Sequence, residues 1–93
     1  MEDFKRIKGF VYEIGATTKV KTSAYRTSFV VKQDLCGKQD WFTCCFYYFK
    51  EFPFKIDTSY TFVGEWKGIK IKDHLSSKTY YFNTFVVESY TKN

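Results

Sequence analysis

The chain has 93 residues, enough for one domain with a modest core and a large surface. Its net charge is +5, carried by Lys far more than Arg, and 23% of its residues are aromatic. Such a balance favours a polyanionic partner, nucleic acid ahead of an anionic membrane or acidic protein; mere solubility is the bland alternative. The three cysteines show no CxxC or Cys/His spacing that would hold zinc, and Cys44 and Cys45 are chain neighbours that point apart on a strand. They read as reduced thiols. No signal peptide, spanning segment or lipidation motif is present, so the expected location is the cytoplasm, with no membrane partner.

Met1 to Arg6 is a charged lead-in. Ile7 to Ile14 (IKGFVYEI) reads as a first strand, with Gly9 marking a bulge, a bend or a close backbone approach. Gly15 to Ser23 (GATTKVKTS) reads as a polar loop carrying two lysines. Ala24 to Gln33 is a second strand, with Phe29 and Val31 on one face and Ser28, Val30 and Lys32 on the other. A tight connection around Gly37 leads into DWFTCCFYYF, Asp40 to Phe49, the most aromatic run in the chain.

That run sets the functional question. Strand geometry splits it into Trp41, Thr43, Cys45 and Tyr47 on one face and Phe42, Cys44, Phe46 and Tyr48 on the other. Neither set carries a charge, so both faces require cover. The second set fits a barrel core with Phe29, Val31 and Phe62. The first is left for a ligand or a partner chain.

Lys50 to Asp57 (KEFPFKID) is too short and too broken by Pro53 for more than a turn of 3₁₀ helix. Thr58 to Lys72 is a long fourth strand that Gly64 and Gly68 allow to bend, ending in the basic Lys70-Ile71-Lys72. After an Asp73 to Ser77 loop, Thr79 to Ser89 forms a fifth strand and Tyr90 to Asn93 a tail. Five bent strands predict an all-β fold, a single five-stranded OB-fold barrel spanning residues 1–93, without a substantial helix between its third and fourth strands. An SH3-like barrel is the rival.

From Asp40 onward the pattern resembles the bacterial single-stranded DNA-binding proteins and the related primosomal replication protein B. The residues that carry the resemblance are Trp41 to Tyr47, Tyr60 to Gly64, the basic arm Lys67 to Lys72 and Phe82 to Val87, with Gly9 and Phe29 to Val31 as weaker matches. The resemblance implies that Trp41 and Tyr47 stack on bases and that Ile71 stands where the family often has another aromatic. It also implies dimers or tetramers. Bacterial members end in an acidic recruitment tail that Ser89 to Asn93 does not supply, which suggests a phage, plasmid or mobile-element accessory protein.

Single-stranded nucleic acid offers unpaired base faces and a phosphate chain, met by aromatic platforms and a lysine groove. Trp41, Thr43 and Tyr47 form the expected platform, with Tyr25, Tyr80 and Tyr81 as further stacking candidates; plain packing or a solvated edge is the alternative for each of these three tyrosines. Arg26, Lys32, Lys67, Lys70 and Lys72 are the candidates for phosphate contacts, although for any one lysine a solvated strand face is the better reading and only their clustering on the arm favours binding. Catalysis finds no support, since His74 lacks a nucleophile beside it and the carboxylates are scattered. No cofactor or metal is expected. The reading is a sequence-nonspecific single-stranded DNA binder, with RNA as the other nucleic acid to test. Its rival is a small subunit that docks on a polymerase, primase or helicase through protein contacts.

Overall fold

The computed structural model describes residues 4–72 and 75–93, with backbone alone at 35, 69–72 and 80–82. Five strands follow in chain order: β1 (Lys5–Lys21), β2 (Ala24–Leu35), β3 (Lys38–Tyr48), β4 (Ser59–Lys72) and β5 (Thr79–Lys92). They close into a barrel in the order β1-β2-β3-β5-β4. Neighbours are antiparallel except β3 and β5, which run parallel through Cys44↔Phe85 and Cys45↔Val86. Closure leaves no full-length sheet edge exposed.

The expected strands are present, and all but β4 are longer than the sequence suggests. The segment expected as a polar loop, Gly15 to Ser23, is mostly strand: Thr17 pairs with Thr27, Thr18 with Arg26 and Lys19 with Tyr25. Its β-branched Thr17, Thr18 and Val20 suit a pleated ribbon, and the reversal is confined to residues 22–23. Thr27, buried in the barrel, is held there by hydroxyl contacts to Thr17 at 2.8 Å and Tyr48 at 2.7 Å. At the other end of the chain, β5 runs on through the expected tail and pairs Lys92 with Tyr60.

Gly9 serves a close approach. A Cβ there would lie 2.5 Å from the Lys32 carbonyl oxygen, so β1 can cross β2 this tightly only without a side chain. Gly37, at φ +79°, and Cys36, at φ 53°, make the β2–β3 turn.

The core is aromatic and centred on an unexpected residue. Ile7, Val11, Phe29, Val31, Cys44, Tyr60, Phe62, Phe85 and Val87 line the barrel. Into it reaches Phe54, 2% exposed, from the connection between β3 and β4. Its ring centroid lies 5.2 Å from Phe29, 5.1 Å from Phe46 and Tyr60, 5.0 Å from Phe62 and 4.7 Å from Tyr90. Most of these contacts are edge-to-face, the arrangement ring quadrupoles favour. KEFPFKID thus closes one barrel end without a helix. Backbone bonds anchor it: Asp57 N–H donates to Val11 at 2.8 Å and Val11 N–H to Thr58 at 3.1 Å.

Candidate nucleic-acid interface

Strand parity divides β3 as its composition implies. Phe42, Cys44, Phe46 and Tyr48 turn inward, while Trp41, Thr43 and Tyr47 are exposed on the outer face. Trp41 is 49% exposed and Tyr47 46%, a large apolar area left open to solvent. They stand six positions apart along the strand, about 20 Å at the usual rise.

The register of β2 places a cation directly across from each aromatic. Arg26 pairs with Tyr47, and Lys32 with Trp41. Lys32 Nζ stands 5.4 Å from the centre of the Trp41 ring, within cation–π range. The platform thus alternates flat apolar surface with positive charge. A phosphate chain with bases laid along it presents the same alternation in reverse.

Cys45 departs from the pattern. It shares the outer parity of Trp41 and Tyr47 yet has no exposed surface, because β5 docks on β3 at this point and pairs it with the buried Val86. Burial raises its thiol pKa, and the positive charges of Arg26 and Lys67 pull it partly back. Lys67, on the base of the β4–β5 arm, therefore lies near the same stretch of β3. Its ammonium is held by Glu65 at 3.0 Å, and its pKa is raised by that carboxylate first, with Glu88 and Tyr47 adding to the field.

The residues expected to bind thus fall into three groups. Trp41, Thr43, Tyr47, Arg26, Lys32 and Lys67 converge on or beside the outer face of β2 and β3. Tyr25 does not: it has the inward parity of Thr27 and stacks on Tyr48 at 5.9 Å, half-buried at the β1–β2 end of the barrel. Lys70, Ile71, Lys72 and Tyr80 lie on the β4–β5 arm, where Ile71 pairs with Tyr80; their side chains, and all of His74, fall outside the described residues. Trp66 has two sides. It packs on Phe85 at 5.3 Å and Phe42 at 5.9 Å, with 43% of its surface exposed.

Two aromatics that the sequence reading passed over belong to this face. Tyr12 meets Trp41 edge-on at 4.6 Å and an interplanar angle of 79°. Phe10, 51% exposed, pairs with Lys32 from the other side. The signal was available in IKGFVYEI: once Ile7, Gly9 and Val11 are inside, Lys8, Phe10 and Tyr12 must be outside. Among the described residues no group of His, Cys, Asp and Glu could hold a metal ion.

No protein-family model matches the sequence, and neither does any curated protein. The structure does have a counterpart. It is similar to a dimeric N-terminal domain of the PriB protein from Thermoanaerobacter tencongensis, with a TM-score of 0.74 over 97% of this chain and 94% of that one. The fold is the OB-fold. With 9% of residues identical, the likeness to PriB is carried by strand order and barrel closure, and side-chain chemistry must be argued from this chain alone. In OB-folds generally, the face of the second and third strands, flanked by the β1–β2 and β4–β5 loops, binds oligonucleotides and oligosaccharides. That face is the one bearing Trp41, Tyr47, Arg26 and Lys32.

Proposed function

We propose that this chain is a largely sequence-nonspecific single-stranded DNA-binding protein acting in replication or repair. One observation carries the reading: two exposed aromatics on β3, each with a cation across from it on β2, on the ligand face of an OB-fold. Trp41 and Tyr47 stack bases, while Arg26, Lys32 and Lys67 contact phosphates. Every base has a π-face, so such a platform tolerates any sequence. No catalytic step is assigned to it.

Trp41 is the natural reporter. In a Trp66→Phe background it is the sole indole, and oligo-dT should quench its fluorescence on binding. Truncating Trp41 or Tyr47 to Ala should each cost about 1–3 kcal/mol, roughly 5- to 150-fold in affinity. Unchanged affinity in the Trp41→Ala, Tyr47→Ala double variant would refute the assignment.

A second reading has its own observation. Phe49, 73% exposed, and Ile56, 51% exposed, lie just past the end of β3 and in the connection that follows. They are an apolar surface available to a second copy or to a replication enzyme, and the PriB domain is itself described as dimeric. Co-purification with such an enzyme, together with only millimolar affinity for oligo-dT, would favour this accessory role.

A further inference from the structure

We infer that the outer face of β1 carries a separate nucleobase subsite that prefers amino-bearing bases, cytosine above thymine. The inference rests on the single-stranded DNA reading, because it extends the same strand path one step beyond Trp41. Phe10, Lys32 and Trp41 form one row across three strands, since Lys32 pairs with Phe10 on one side and Trp41 on the other. A strand laid over Trp41 and Tyr12 therefore reaches Phe10 without turning a corner.

Beside Phe10 the surface is concave. A groove of about 360 Å³ lies between Phe10 and Tyr12, with Lys32, Asp34 and Asp57 completing its wall. A second groove, about 300 Å³, shares Phe10 and Asp34 with the first and adds Lys8 and Gln33. The exposed Phe10 side chain thus lines both hollows, where a flat ligand could stack on it. The ring of Phe10 is half exposed, as a stacking surface must be.

The carboxylates select what enters. An ionised Asp accepts hydrogen bonds and donates none. Cytosine offers it the N4 amino group, the usual partner of an acidic side chain in base readout. Thymine offers carbonyl oxygens at both flanks of its one N–H and is repelled. The same negative charge turns phosphates away from the groove floor and toward Lys32 and Lys8. Across from Trp41 and Tyr47 on β2 stand Lys32 and Arg26 rather than carboxylates, so the platform stays indifferent while the Phe10 groove discriminates.

The test compares oligo-dC and oligo-dT of about 12 nucleotides, inside the roughly 4–16 that one OB-fold covers. The unaltered protein should bind oligo-dC about tenfold more tightly. Phe10→Ala should lower affinity for oligo-dC more than for oligo-dT, with thermal unfolding confirming that the variant is folded. The Asp34→Asn, Asp57→Asn double variant should bring the two oligomers to within about twofold of each other. Equal binding of both oligomers by the unaltered protein, or a preference that survives the double Asn variant, overturns the subsite and leaves the platform standing. Binding of neither oligomer overturns the platform reading itself.

Discussion

Cys36, Cys44 and Cys45 are chemically alike and physically distinct. Cys36 is exposed at the β2–β3 turn, while the other two have no accessible surface. Burial, with Cys45 adjoining, pushes the Cys44 thiol from an ordinary 9.0 up to about 12. In the folded protein a thiol reagent should therefore label Cys36 rapidly and the two core thiols only after denaturant is added, as counted by mass spectrometry. The same shift has a consequence for stability. A group whose folded pKa exceeds its unfolded value contributes fully below the unfolded value, and that contribution is lost as pH rises between the two. Stability should fall as pH climbs from about 9 toward 12, and Cys44→Ala should flatten that decline in urea unfolding curves. None of this separation could be read from CC in the sequence. Parity implies that one of the pair is outward, and only the docking of β5 shows that the outward one is covered as well.

Among the elements, the β3–β4 connection carries more weight than its composition suggests. Five of its eight residues are charged or proline, the composition of a solvated loop, yet Phe52 and Phe54 pack into the aromatic core. Truncating Phe54 to Ala removes a ring that fills one end of the barrel and should cost about 3–5 kcal/mol. For a small domain whose total stability is about 5–15 kcal/mol, that is a large fraction, and urea midpoints will show it. Phe49→Ala, on an exposed ring next door, should change stability by no more than about 0.5 kcal/mol. The alternation of DWFTCCFYYF was legible because its two faces differ in what surrounds them. The plug was not, because FPF carries no periodicity to mark which ring turns inward. The extension of β1 past Gly15 was hidden by residues that serve turns and strands alike, Thr and Lys among them.

At the scale of the whole molecule, charge and shape act together. The Cα radius of gyration is 14.0 Å, above the roughly 12 Å of a compact chain this long, because β1–β2 and β4–β5 run on as hairpins beyond the closed barrel. On the proposed single-stranded DNA reading, cations on the platform and at the base of the β4–β5 arm would follow a strand along the molecule. If Arg26, Lys32 and Lys67 each neutralise one phosphate, log K for oligo-dT should fall against log salt with a slope near −2. Removing any one of them as Gln should make the slope shallower by about 0.7, whichever base is offered. A change in base preference without a change in slope would separate the Phe10 groove from these phosphate contacts.

The parallel junction of β3 and β5 bears on how the protein comes to be folded. Every other strand neighbour can be reached through an antiparallel hairpin or a longer ladder, whereas Cys44↔Phe85 and Cys45↔Val86 join segments nearly half the chain apart across a short seam. The entropy of that long loop is lost before the contact returns any energy. Assembly of the barrel is therefore governed by its non-local pairings, on the millisecond-to-second scale of all-β domains rather than the microseconds of helical ones. Trp41 and Tyr47 flank that seam on β3, so its closure fixes the curvature of the strand that carries them.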